Sequence, residues 1–511
     1  MTEVQSAAAV PEGFLGNLTP EHECKLRELW ALLLERFEDD EVARAEAAVN
    51  TTTADLDNLT VQEGPTDSAA SPTTSATSDK STDKLKKSAK KPLSFLKKSK
   101  KSKSTAAIPA LSQAGKQDGQ QAVADTASEP ANSPKDAADD DAISTTTSTN
   151  NNNDKEDKYT ESGEVDVALT AAETLRQAFW KVVQVDNPDS ILLRFLRARK
   201  WDVAKAFEMG IHALEWRLEA KVDQVVARGE AGLHEGVLKK GISFLHGQDK
   251  RGRPVIVIRV KLHRKEDQTL EQLTDFLIWT IETARLFLGP GVETATAIFD
   301  LTDFTMANMD FAFIKLLIRY LEAYYPESLG TLLIYNAPWI FGSIWRMISP
   351  LLDPVVASKI NFIRSQEDFA EFIDAANMVD WLGGESRFQY EYVGPQADEN
   401  AHMLDTAQRT QAAERYNQSM VNVENATLKW LAAHKVLDAN TDESKASALK
   451  EEAQAADQQR QATQTEHKAA VKALDPFVRA RTFYHRVGVV QDFSQFDWKP
   501  MLCKSGESQQ A

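Results

Sequence analysis

From Lys80 to Lys103 the chain carries eleven lysines against one aspartate, about +10. The whole chain of 511 residues holds 59 Lys+Arg against 76 Asp+Glu, net −17, so the remainder carries −27. Lys86, Lys87, Lys90, Lys91, Lys97, Lys98, Lys100 and Lys101 bracket Leu93, Phe95 and Leu96. Ammonium groups attract an anionic lipid surface, and the apolar trio can insert at its interface, so this block has the chemistry of a membrane tether. The same composition suits a solvated linker or a nuclear-import signal, and a cationic run also attracts nucleic acid; these readings stay open. Ser88, Ser94, Ser99 and Ser102 are interleaved, where phosphorylation would cancel much of the charge.

Bond-making chemistry has no comparable signal. There is no G-x-S-x-G elbow, no G-x-x-x-x-G-K-[ST] loop and no H-E-x-x-H. Gly289-Pro290-Gly291 reads as a plain turn. The nine histidines lack ligand spacing, and His212 falls within a helix. No metal, no cofactor and no enzyme activity are expected. Cys24 and Cys503 are the two cysteines, which excludes a disulfide framework and suits a reducing compartment. The first residues lack a basic region before an apolar core, and no apolar run approaches a bilayer span. A soluble intracellular protein is expected, too acidic to bind nucleic acid generally.

The elements that would position a site begin with Thr19-Pro20-Glu21, a helix start. Leu26, Leu29, Trp30, Leu33 and Phe37 follow at helical spacing. One such stripe must dock on a later element. Residues 46–160 are polar and low in large apolar side chains, so they are expected to be disordered. Order returns with a helix carrying Leu169, Leu175, Phe179 and Val182. Two helices follow over Ile191–Glu219, the second capped by Asp202 and presenting Val203, Phe207, Ile211, Leu214 and Leu218. Beyond Gly236 the period changes. Strands are predicted at 255–258, 296–301, 331–335 and 360–363, and helices at 270–288, 311–325, 341–348 and 367–375. Alternating strands and helices imply an α/β lobe with a mostly parallel sheet. Residues 401–472 are polar and helix-forming, and the aromatic segment 477–498 is expected to pack back. The expected domains are an N-terminal helix at 12–45, the disordered segment 46–160 and a helical lobe at 161–235. An α/β lobe at 236–395 and a C-terminal extension at 396–511 complete them.

Four segments, ILLRFLRARKWD, DKRGRPV, YYPESLGTLLIYNAPWIF and LLDPVVASKI, stand in this order between residues 191 and 360. Together they resemble the CRAL-TRIO lipid-binding family, in particular its fungal phosphatidylinositol-transfer branch. The resemblance spans roughly 165–393. It implies a helical N-terminal lobe and an α/β lobe enclosing an apolar lipid pocket under a movable helix. The gate would be Trp339–Pro354, with Trp339, Phe341, Trp345, Met347, Ile348 and Leu351 among its apolar residues. Carried over, the headgroup site would comprise Arg199, Lys200, Glu327 and Lys359, while Phe299 and Tyr325 would join the pocket. The sequence departs from the family twice. Val356 stands where a threonine often assists the inositol phosphate. Ile281, Ala295 and Ala297 replace a tyrosine and two hydroxyl residues that serve the choline headgroup. An unmade buried hydrogen bond costs roughly 1–3 kcal/mol, so phosphatidylcholine is expected to be excluded. The vacated space also suits a wholly apolar ligand such as a sterol precursor.

The implied function is a monomeric carrier that extracts phosphatidylinositol, contacts membranes transiently and delivers the lipid to another membrane or a lipid kinase. It would be cytoplasmic and peripheral to the endoplasmic reticulum, endosomes or other internal membranes. A non-transferring lipid-sensing adaptor is the alternative.

Overall fold

The computed structural model describes residues 10–59, 173–493 and 495–502, with side chains of the first helix described to residue 45. The lysine block with Phe95, the helical position of Leu169, Cys503 and the predicted disorder lie outside the described residues.

The first helix, α1 (Pro20–Leu59), starts as the sequence predicts and continues past residue 45. Its stripe docks on a helical layer of α2 (Leu175–Val183), α3 (Pro188–Ala198) and α4 (Val203–Glu219). Asn187 caps α3 and Asp202 caps α4. Leu26, Leu29, Trp30, Leu33 and Phe37 are all buried there, against Phe179, Leu192, Leu196 and Leu214. Phe207 and Leu218 are only partly buried, while Ala206, Met209 and Ala213 fill the remaining space.

Two short helices, α5 (Val222–Arg228) and α6 (Glu235–Lys240), lead into a five-stranded sheet ordered β1-β2-β3-β4-β5. Its strands are β1 (Ser243–Gln248), β2 (Pro254–Arg259), β3 (Ala295–Asp300), β4 (Leu329–Tyr335) and β5 (Ile360–Ile363). β2 to β5 are parallel, and β1 joins β2 as an antiparallel edge. The crossovers carry α7 (Leu270–Ala284), α8 (Phe311–Ala323), α9 (Phe341–Ile348) and α10 (Pro354–Ser358). The fold is therefore α/β with a helical lobe and a mostly parallel sheet.

Two features depart from expectation. β1 carries no clean alternation, because His246-Gly247 interrupts it at a register shift. Gly247 has φ +67, and an added Cβ would meet the Asn377 carbonyl oxygen at 2.2 Å, so only glycine fits. The helix expected over 367–375 is instead a 3-10 turn, Glu367–Glu371, followed by a second at Ala375–Asn377. The Phe372 carbonyl accepts from the Lys250 amide at 2.9 Å rather than extending a helix.

The C-terminal region forms two long helices, α11 (Thr406–Asp438) and α12 (Glu443–Val478). Arg460 of α12 donates to both Asp189 oxygens at 2.7 and 2.5 Å, and the Trp30 indole donates to the same carboxylate at 2.7 Å. One carboxylate thus ties α1, α3 and α12 together. The aromatic tail packs back as expected: Phe483, Tyr484, Val489, Phe493 and Trp498 are buried in the core of the α/β lobe.

His246 and His467 are buried and held neutral. Burial lowers the pKa of each from 6.5 to about 4. Below pH 6.5 the unfolded chain takes up protons that the folded chain refuses until about pH 4. Their contribution to stability is therefore complete above pH 6.5 and lost as pH falls toward 4, by at most roughly 3 kcal/mol each. The melting temperature should fall between pH 7 and 5, and His246→Leu should flatten that slope. An unchanged slope in the variant would remove His246 from the acid response.

Candidate lipid-binding site

Strand alternation builds one wall of a large cavity. Ala295, Ala297 and Phe299 of β3 point into it, while Thr296 and Ile298 are buried on the opposite face. Parallel register extends the wall sideways. Ile256, Ala297, Leu332 and Ile360 form one cross-strand row, and Ile258, Phe299 and Ile334 form the next. Ile281 of α7 and Leu317 of α8 line it from other sides, and Tyr325 also lines it. The cavity holds about 370 Å³ of accessible space, within the roughly 300–1,000 Å³ of ligand clefts.

α9 closes part of this space. Phe341, Ile344, Trp345 and Ile348 follow i, i+3, i+4, i+7 spacing, which puts them on one helical face. Ile344 and Ile348 are buried, and Phe341, Trp345 and Ile348 line the cavity. Phe341 meets Phe304 edge-on, and Trp345 meets Phe362. Trp339 is 90% exposed, Met347 52% and Leu351 44%. Of the residues predicted for the pocket and gate, these three face outward and take no part in the cavity wall. The inward face is apolar, and outside it Trp339, Met347 and Leu351 add exposed apolar surface beside Ser343 and Arg346.

The predicted headgroup residues divide into two places. Lys359 caps the C-terminal end of α10, and its Nζ lies 3.3 Å from a Glu327 oxygen. Glu327 adopts φ +56 in the turn before β4. Arg199 and Lys200 are not brought to this pair. Arg199 ends α3 and lines a surface groove with Lys315, Arg319, Glu322 and Leu351. Lys200 is exposed, at φ +52, where the chain turns toward α4. Arg197, two residues before Arg199, feels the charge of Glu327 without contacting it. It pairs with Glu293 at 2.9 Å and lies over the Phe14 ring at 3.8 Å. Val356 is half-buried beside Lys359 and offers no hydroxyl.

Sequence reasoning missed a buried ion network beside the cavity. Arg217 reaches Glu282 at 2.8 Å and Asp223 at 2.7 Å. Arg285 reaches Asp186 at 3.1 Å and Glu282 at 3.5 Å. The Tyr325 hydroxyl donates to Glu282 at 3.0 Å. Burial raises the Glu282 pKa, but Arg217 and Arg285 outweigh it and hold the carboxyl at about 2. The one available signal was charge inside otherwise apolar helices, in EWRLE and TIETAR.

The CRAL/TRIO domain model matches residues 238–384, and the CRAL/TRIO N-terminal domain model matches 149–209. A protein of Eremothecium gossypii named phosphatidylinositol transfer protein CSR1 is 37% identical over 345 residues, 66% of this chain and 75% of that one. The chain belongs to the CRAL/TRIO family. A CRAL-TRIO domain-containing protein of Schizosaccharomyces pombe is 36% identical over 62% of this chain and 69% of its own. The SEC14 cytosolic factor of Eremothecium gossypii is 33% identical over 39% of this chain and 70% of its own. A crystal structure of Sfh5 aligns with a TM-score of 0.33 at 17% identity, over 37% of this chain and 68% of that one. Among the described residues no helix is long and apolar enough to cross a membrane, and no group of three or more His, Cys, Asp or Glu could hold a metal ion.

Proposed function

We propose that this CRAL/TRIO protein withdraws phosphatidylinositol from a membrane, encloses its acyl chains in the cavity and delivers it to a second membrane or a lipid kinase. The observation that carries this reading is the apolar cavity under α9, whose apolar face turns inward while Met347 on the helix and Trp339 and Leu351 beside it are exposed. Such a helix can cover acyl chains when closed and meet a bilayer when displaced. The name of the 37% identical relative supports the choice of lipid. Lys359 supplies a cation for the phosphate, and Glu327 an acceptor for inositol hydroxyls. No covalent step is required. The name of the SEC14 cytosolic factor supports a cytoplasmic carrier that visits membranes peripherally.

A wholly apolar cargo is the second reading. It is favoured by Ile281, Ala295 and Ala297, three cavity-lining side chains that offer no hydrogen bond.

Vesicle-to-vesicle transfer of labelled lipids tests the proposal. Phosphatidylinositol should move, and phosphatidylcholine at no more than about a tenth of its rate, given roughly 1–3 kcal/mol per unmade bond. Lys359→Ala should lower phosphatidylinositol transfer by about tenfold while shifting the melting temperature little, because what it loses is one ion pair, to Glu327 at 3.3 Å, between partly exposed side chains. Equal transfer of both lipids, or full transfer by the variant, would remove the assigned subsites. A protein that binds phosphatidylinositol but never transfers it would be the lipid-sensing adaptor.

A further inference from the structure

Arg194 projects from α3 into the cavity wall among Ile191, Phe195 and Leu288. Its side chain is only 12% exposed. A guanidinium carries five N–H donors and stays protonated in proteins. None of these donors makes a hydrogen bond to a described residue, and Nε is buried without an acceptor. The nearest carboxylate, Glu293, is 3.9 Å from Nε. That carboxylate is already engaged by Arg197 at 2.9 Å. Asp186 acts on Arg194 through its charge but is held by Arg285 at 3.1 Å.

The contrast with the two other arginines lining the cavity is informative. Arg217 and Arg285 each contact two carboxylates. Arg194 contacts none within hydrogen-bonding distance. A buried cation lacking acceptors is costly, and native folds rarely retain one without a partner in the working state. The partner must enter through the cavity, because that is what the guanidinium borders.

We infer that Arg194 is an internal anchor for the bound lipid, donating hydrogen bonds to an acceptor oxygen that the lipid carries into the cavity. The oxygen belongs to an ester carbonyl or a phosphate. This rests on the carrier reading and narrows it: the cargo is an acyl ester or phospholipid, not a hydrocarbon. Glu293 immediately precedes Thr294 and Ala295, so the anchor stands at the start of β3. Glu293 beside it pairs with Arg197, whose guanidinium also feels the charge of Glu327, the partner of Lys359. An amphiphile with its headgroup at Lys359 can also offer Arg194 an acceptor, and a hydrocarbon cannot.

The test uses the full chain stripped of lipid, as wild type, Arg194→Met and Arg194→Gln. The probes are phosphatidylinositol, a diacylglycerol and a branched hydrocarbon without polar atoms. Arg194→Met should weaken phosphatidylinositol uptake at least tenfold and leave hydrocarbon uptake unchanged or higher. Arg194→Gln, which keeps one amide donor, should lose less. A parallel loss of diacylglycerol uptake assigns the acceptor to an ester carbonyl, and its retention assigns it to the phosphate. The ligand-free Arg194→Met protein should melt at the same or a higher temperature, because an unpartnered buried cation has been replaced by an apolar side chain of similar length. A lower melting temperature, equal losses for all three probes, or unchanged phosphatidylinositol and diacylglycerol uptake would overturn the inference. Wild type that takes up neither acceptor-bearing lipid would overturn it as well. Wild type that takes up diacylglycerol but not phosphatidylinositol would end the phosphatidylinositol reading, while the effect of Arg194→Met on diacylglycerol would still decide the anchor.

Discussion

Glu282→Leu is expected to destabilise the fold by about 3–5 kcal/mol, the usual cost of removing one partner from a buried ion pair. Glu282 is 1% exposed and lies against Arg217, Arg285 and Tyr325. Without it, Arg217 keeps only Asp223 and Tyr325 loses its acceptor. Arg217→Met should be similarly costly, because Glu282 would then be buried with Arg285 at 3.5 Å as its one remaining cation. The double variant should recover much of the loss. Arg285 keeps Asp186 at 3.1 Å, and Asp223 keeps Lys181 at 3.7 Å and is partly exposed, so neither survivor is stranded. Denaturant titration of the four proteins gives the coupling directly. If the double variant is as unstable as the sum of the singles, the network is not a coupled unit. The pH dependence supplies a second check. Glu282 titrates at about 2 when folded, against 4.5 ordinarily. Its contribution is therefore complete above about pH 4.5 and lost as pH falls toward 2.

Several elements were legible because they rest on local periodicity. The β3 wall follows from strand alternation once one of Ala295, Ala297 or Phe299 is placed. Asp202, Pro20 and the 249–254 turn mark their boundaries through capping and turn chemistry. Residues 341–348 showed a helical apolar stripe, Phe341, Ile344, Trp345 and Ile348, but Trp339, Met347 and Leu351 around it are apolar as well, so the sequence does not say which of them face a cavity. The split between Phe341, Trp345 and Ile348 inside and Trp339, Met347 and Leu351 outside therefore needed the packed structure. β1 was hidden by its glycine bulge. Arg194, Arg217 and Glu282 were hidden for a different reason. A charged residue in an amphipathic helix reads as solvent-facing, and burial of its head is decided by elements far away in the chain. Glu282 meets Arg217 across 65 positions, and Arg460 meets Asp189 across 271. Arg199 and Lys200 illustrate the converse. Their place at the end of FLRARK is local information, but the turn after α3 leaves Arg199 on a surface groove and Lys200 exposed, and neither contacts Glu327 or Lys359.

The outward face of the gate should control transfer without controlling capacity. Trp339→Asp combined with Met347→Asp is expected to reduce vesicle-to-vesicle lipid transfer by at least about tenfold. A tryptophan contributes roughly 150–250 Å² of surface, and each Å² removed from water is worth about 25 cal/mol. Even a third of that surface inserted at the interface would contribute about 1.3–2.1 kcal/mol, roughly a factor of ten or more in occupancy. Two aspartates also repel an anionic bilayer. Neither substitution should disturb the fold, because Trp339 is 90% exposed and Met347 52%, and surface changes of this kind shift stability by roughly 0.5 kcal/mol or less. The cavity is lined instead by Phe341, Trp345 and Ile348, so lipid already loaded should stay bound. Flotation with vesicles should show reduced binding, and mass spectrometry of the purified variant should show unchanged cargo. Unchanged transfer together with unchanged vesicle binding would mean that α9 meets the membrane with some other surface. Loss of cargo would mean instead that the exposed face helps hold the gate shut.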